Sequence, residues 1–226
     1  MTSSAVPVSR AVLARAGHSV LKHGHGFKPD VLLVDPGSGP MVVKDYAGRG
    51  GLVRRWLGPW LVRREWRVRE RLAGVAAVPG ALGVIDRHAF ALEFRPGEPL
   101  SRALARRLGP APIARFLSDL DESVAQMYAC GVVHLDLRHR DNILLGPGGK
   151  PVLIDFAAAM SFRPGSFWYR WYRPTVRGFD ERALRKWRER LRPDAPESPR
   201  TFTRRFRAWR RLRARPRRSR SADRAG

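Results

Sequence analysis

Lysine is scarce in this chain: of 44 basic residues only Lys22, Lys28, Lys44, Lys150 and Lys186 are lysines, and the rest are arginines. Heavy arginine use often reflects GC-rich coding, so the formal net charge of +24 does not by itself name a partner. Cysteine is scarcer still. The single thiol, Cys130, excludes an internal disulfide and fits a reducing compartment. Placed at the apolar end of an expected helix, it reads as an inert buried side chain. No acid precedes Asp30, yet the basic N-terminus has no secretory apolar core or cleavage signature, so the expected location is cytoplasmic. No apolar run approaches the roughly 20 residues that a membrane span requires, so no transmembrane helix is expected.

What is present is enough for a globular body. The chain has 226 residues, 43% of them hydrophobic, which suffices for one sizeable core or two small ones packed together. Ser19–Lys22, Val31–Val34 and Met41–Lys44 are short β-prone runs, the last two joined by the turn-rich Asp35–Pro40. Residues Trp60–Leu72 mix apolar positions with arginines, Glu65 and Glu70, and predict an exposed helix. Leu82–Ile85 and Phe90–Phe94 predict two more strands, and Pro96-Gly97-Glu98-Pro99 breaks the chain after them. Leu100–Leu108 and Ile113–Ala129 are helical by composition, with Phe116, Leu117, Leu120, Val124 and Met127 recurring three to four residues apart. Phe162–Tyr172 reads as aromatic-rich coil, followed by a helix near Asp180–Leu191 and a proline-rich break.

The chemistry concentrates between residues 134 and 156. His134-Leu135-Asp136 is followed by Asp141-Asn142-Ile143-Leu144-Leu145 and then by Val152-Leu153-Ile154-Asp155-Phe156. A carboxylate at Asp136 can take a proton from an attacking hydroxyl. The Asn142 amide and the Asp155 carboxylate are oxygen donors suited to magnesium. The apolar runs between them predict two short strands, which place these ligands at adjacent ends of a small hairpin.

This stretch resembles the catalytic and metal-binding loops of the protein-kinase-like superfamily. The resemblance covers roughly residues 18–160 and implies an α+β fold of two lobes: a small antiparallel-sheet N-lobe (18–95) after an N-terminal segment (1–17), and a reduced, mainly helical C-lobe (96–192). It implies ATP and Mg2+ as cofactors, with Asp136 as catalytic base, Asn142 and Asp155 as metal ligands, and His134 as a brace for the catalytic loop. Val42-Val43-Lys44 resembles the strand whose lysine contacts the nucleotide phosphates and is fixed by a helix glutamate. Glu65 fits that partner better than Glu70. Gly24 and Gly26 stand where the phosphate-covering loop is expected, without the family's full set of three glycines. Leu92-Glu93-Phe94 resembles the segment between the lobes, where backbone groups bind adenine, so Glu93 marks a place more than an action.

The chain departs from the pattern in three ways. Asp136 and Asn142 are six steps apart, one more than usual, which puts Asp141 where the asparagine is expected. Asn142 is preferred because the strand Ile143–Leu145 follows it directly, and Asp141 stays an alternative ligand. Ala157 replaces the usual glycine two residues after Asp155. Leu135 replaces the arginine that meets a phosphorylated loop in regulated kinases, which speaks against that regulation.

After Asp155 there is no Ala-Pro-Glu element, so the chain looks like a compact member: the atypical RIO-type kinases, or the bacterial enzymes that phosphorylate sugars of the lipopolysaccharide core. The acceptor implied is a hydroxyl of a sugar or lipid-linked saccharide, with a protein serine or threonine as the alternative and a catalytically silent nucleotide-binding scaffold as a third reading. Residues 193–226 hold the proline-rich break and a basic tail. Within it, residues 200–226 carry twelve arginines against the single acid Asp223, a net of +11. Phe202, Phe206, Trp209 and Leu212 fall on one side of a helix there, a composition suited to an anionic membrane surface. Attachment to the inner face of a membrane is therefore a further expectation, and nucleic acid is a weaker candidate partner for the same charges.

Overall fold

The computed structural model describes residues 9–163 and 167–191, all within one compact unit, Met1–Pro196. The expected amphipathic tail lies outside the described residues. The chain is α+β. Five antiparallel strands, β1 (His18–Lys22), β2 (Asp30–Val34), β3 (Met41–Asp45), β4 (Ala81–Asp86) and β5 (Ala89–Glu93), form one sheet in the order β1-β2-β3-β5-β4. The β2–β3 turn closes because Asp35 accepts a hydrogen bond from Gly37 N–H at 3.0 Å while Gly37 and Gly39 take left-handed φ values of 94° and 118°.

Alternation along β3 and β5 decides what the two faces of this sheet bury. Met41, Val43, Ala89 and Ala91 point to one face, where Leu13 and Ala16 of the first-helix region pack on them. That helix, α1 (Arg10–Arg15), starts at Ser9, whose hydroxyl accepts from Val12 N–H. It is tied down by Arg10, which pairs with Asp45 and Asp86. The other face carries Tyr46, Phe90 and Leu92 and is covered by Val62, Leu61 and Trp66 of α2 (Gly58–Arg71). Lys44 shares the parity of Val42 and Tyr46, so it too faces α2.

The expected exposed helix over Trp60–Leu72 is α2, and it is not simply exposed. Val62, Glu65, Val68 and Arg69 are buried. Two of those four are charged, so apolar spacing alone could not show that this face turns inward. A π-helical turn, Val53–Leu57, leads into it.

Beyond β5 the chain is mainly helical. A short strand β6 (Glu98–Pro99) precedes α3 (Arg102–Leu108), capped by Ser101, and α4 (Pro110–Ala129). Strands β7 (Val132–Val133), β8 (Ile143–Leu145), β9 (Pro151–Leu153) and β10 (Met160–Ser161) make two small sheets, β6-β8-β9 and β7-β10. The last described element is α5 (Phe167–Leu191). It starts well before Asp180, so much of the segment expected as coil is helical. From Val176 onward its inner positions Ala183, Leu184, Trp187 and Leu191 join Phe116, Leu120, Val124 and Met127 of α4 in one large core. Cys130, a free thiol, is partly buried against that core.

Candidate functional site

Lys44 is 6% exposed, and its Nζ donates to Glu65 Oε1 and to Asp155 Oδ1, each at 2.7 Å. Three elements meet at this amine: β3 supplies the lysine, the inner face of α2 the glutamate, and the turn after β9 the aspartate. Burial disfavours the ammonium, but the Asp155 and Glu65 carboxylates outweigh that cost and raise its pKa above the usual lysine value. Asp155 is held well below the usual carboxylate range, chiefly by the Lys44 charge. Both groups are ionised at neutral pH.

The β8–β9 hairpin places the second cluster. Ile143 pairs with Leu153, and Ile154 N–H donates to Asn142 O at 3.0 Å, so Asn142 and Asp155 stand at neighbouring strand ends as the spacing predicts. The Asn142 Nδ2 donates to Asp136 O at 2.9 Å and to Asp136 Oδ2 at 3.1 Å. That leaves the Asn142 carbonyl as its acceptor. On the other carboxylate oxygen, Asp136 Oδ1, His139 Nε2 lies at 3.4 Å and Arg138 Nε at 3.6 Å.

His134 is fully buried, with a partner at each ring nitrogen. Its Nε2 lies 3.1 Å from the Ile154 carbonyl and its Nδ1 3.3 Å from Asp136 N–H, which requires a neutral ring with the proton on Nε2. Burial lowers its pKa in agreement. Its ring packs on Phe156 with centroids 4.6 Å apart.

Two residues here adopt left-handed backbone without being glycine: Leu135 (φ 66°) and Asp155 (φ 63°). Such conformations cost energy and persist where the surroundings impose them. At Leu135 the imposing group is Asp180 of α5. Its carboxylate is fully buried and accepts from His134 N–H and Leu135 N–H, both at 2.8 Å. Trp187, two turns further along α5, donates from Nε1 to Leu137 O at 2.8 Å. The loop carrying Asp136 is thus hung from one helix at two points. At Asp155 the following turn, Phe156–Ala158, is held from α2: Arg64 donates to Ala157 O at 2.7 Å and Ala159 O at 2.8 Å. Ala157 lies within that right-handed turn, so alanine in place of glycine costs no strain there. Arg69 of α2 is buried with its guanidinium 4.7 Å from the Phe156 ring centre and 3.6 Å from Glu65 Oε1.

Lys44, Glu65, Asp155, Asn142, Asp136 and His134 therefore form one linked constellation. Glu70 does not belong to it: its Oε1 accepts from Trp66 Nε1 at 2.8 Å on the outer side of α2. Asp141 is drawn toward Arg140, 3.5 Å away. Gly24 and Gly26 lie in the β1–β2 loop, but the Gly24 N–H is engaged by Asp30 Oδ1 at 2.7 Å and its carbonyl by Arg49. A Cβ at Gly24 would meet Lys28 O at 2.2 Å, so glycine there serves a close turn. Glu93 closes the end of β5, accepting from Gly80 N–H and Arg95, each at 2.8 Å.

Sequence reasoning missed Asp180, Arg64 and Arg69. Asp180 had a signal, a charged residue on the apolar stripe of a helix, and Arg64 and Arg69 had none. Among the described residues, no three His, Cys, Asp or Glu side chains converge as a protein-only metal site. No helix among them is long and apolar enough to cross a membrane. No protein-family model matches the chain, and no curated protein matches it.

Proposed function

We propose that this chain is an ATP- and Mg2+-dependent phosphotransferase, with a two-lobed protein-kinase-like fold, acting on a hydroxyl of a sugar or lipid-linked saccharide. The observation that carries the reading is the buried Lys44 amine bonded at once to Glu65 and Asp155, one hairpin away from the Asn142–Asp136 pair. The sheet order, with α2 inserted between β3 and β4, supports the fold assignment. ATP supplies the transferable phosphoryl group, and magnesium neutralises its charge.

Each residue then has a task. Lys44 offers a fixed cation to phosphate oxygens, and Glu65 keeps it in place. Asn142 and Asp155 are an oxygen-only donor pair, which suits an ion that keeps most of its shell as water and phosphate oxygens. That chemistry explains why no three-acid cluster is required. Asp136, oriented by the Asn142 amide, takes the proton of the acceptor hydroxyl. Asp180 and His134 hold the Asp136 loop in its strained shape.

A second reading, a catalytically silent nucleotide-binding scaffold, is favoured by the Gly24 N–H being closed off by Asp30. One assay separates them. The full chain is given labelled ATP and magnesium with lipopolysaccharide-core saccharide or with generic protein acceptors. Label on the saccharide, reduced by about 10²–10⁴ in Asp136→Ala, is expected. Label on protein instead moves the acceptor to serine or threonine. Absence of magnesium-dependent turnover in the wild type, or its survival in Asp136→Ala, overturns the enzymatic reading.

A further inference from the structure

The outer side of the helix that carries Glu65 is bulky and apolar over successive turns. The turn Val53–Leu57 enters α2 without a break, since Leu57 has helical φ/ψ of −71° and −42°. On this continuous helix Leu52, Trp56 and Trp60 recur every four residues and are 79%, 67% and 55% exposed. The inner side of the same turns is used up by Gly58 and Val62 against the sheet. The ridge is therefore apolar, bulky and uncovered within the described residues.

Arginines frame it. Arg54 and Arg55 lie beside Trp56, and Arg63 and Arg67 continue the ridge beyond Trp60; all four are exposed. Arg55 lies over the Trp56 ring at 5.7 Å, and Arg64 over the Trp60 ring at 5.4 Å. Some arginines of this surface pair with acids, as Arg10, Arg49, Arg95, Arg107 and Arg188 do. Arg54, Arg55, Arg63 and Arg67 pair with no carboxylate among the described residues.

We infer that Leu52, Trp56 and Trp60, framed by these four arginines, form a docking surface for an anionic membrane. Tryptophan and arginine together suit the headgroup layer: the indole buries its rings at the acyl boundary while the guanidinium meets lipid phosphate. A nucleic acid would match the charge, but it offers nothing that gains from burying Leu52. The ridge is made of residues in the folded body, none of them within 200–226. It also stands whether or not the phosphotransfer reading holds, because vesicle binding is measured without nucleotide.

The test is co-sedimentation of the full chain with phosphatidylcholine vesicles, with and without phosphatidylglycerol. Binding is expected only with the anionic lipid. Trp56→Ser combined with Trp60→Ser should lower it by about tenfold or more, and each of Arg63→Gln and Arg67→Gln by about fivefold at low salt. Because a substituted chain can fail to fold, a second readout keeps both tryptophans: an environment-sensitive fluorophore on Leu52→Cys in a Cys130→Ser background. Its emission should shift to the blue on anionic vesicles. Unchanged sedimentation of the tryptophan variant, or a Leu52 probe that stays in water, overturns the proposal. So does a ridge variant that loses binding to a single-stranded oligonucleotide while keeping its binding to vesicles.

Discussion

Around β3 the buried side chains are divided between two sheet faces, whereas around α4 they merge into one body. The sheet keeps Val34, Met41, Val43, Ala89 and Ala91 on one side and Tyr46, Val62, Phe90 and Leu92 on the other. The helical half joins α3, α4, α5 and the small strands, and it also takes in Val68 and Leu72 from the end of α2. That helix therefore belongs to both regions: its middle delivers Glu65 to Lys44 on the sheet, while its end is anchored in the larger core. A split core gives small, mutually independent increments of stability, and a merged one gives cooperative loss. Polar contacts bridge the two regions at Lys44–Asp155 and at Arg64.

The largest effect should come from the merged core. Phe116→Ala is expected to cost about 3–5 kcal/mol in urea unfolding and to remove the whole transition. A separate early transition with the sheet still folded would mean that the two regions are not coupled through α2. Breaking the bridge itself should rank close behind. Lys44→Met leaves Asp155 without its paired cation and Glu65 with Arg69 alone, 3.6 Å away, and should cost about 3–5 kcal/mol at neutral pH. The sign with pH is fixed by Asp155. Its folded pKa is depressed, so its contribution is present above the ordinary value of 3.8 and fades as pH falls below it. Lys44→Met should flatten that acid limb, and an unchanged limb would remove Asp155 as its source.

Asp180 should behave in the opposite sense. Burial pushes its carboxyl up to about 6, against the pull of the two backbone N–H donors. Its folded form thus gains protons first, and stability from this group is lost as pH rises from the ordinary 3.8 through about 6. Asp180→Asn should still destabilise by about 1–3 kcal/mol, because an amide N–H would face a backbone N–H. Thermal melts across that pH range check both statements. The smallest effect is expected at Glu70. Glu70→Gln should stay within about 0.5 kcal/mol and keep activity, while Glu65→Gln should not. Equal effects would break the distinction between the two faces of α2.

Much of this was legible in the residue order because the signals were local. The strands that became β1–β5 follow short β-prone runs, and the β8–β9 hairpin follows two apolar runs with Asn142 directly before the first. The partner of Lys44 was legible only as a choice between Glu65 and Glu70. The inward turn of α2 was hidden because Glu65 and Arg69 look like solvent residues until paired. The full length of α5 was hidden for a related reason: its inner side is fixed by packing on α4. At Gly24 the residue order could not show the close approach of Lys28 O, which gives glycine there a steric reason of its own.

Residue order alone determined the β-prone runs, the apolar face of α4 and the spacing that brings Asn142 and Asp155 to one hairpin, since each depends on neighbours a few positions away. Folding in three dimensions decided which glutamate meets Lys44, that Asp180 holds Leu135 from 45 residues downstream, and that Trp56 and Trp60 stay uncovered among the described residues. Those outcomes rest on electrostatic and steric contacts between distant segments, whose balance of burial against pairing exists only once the segments meet.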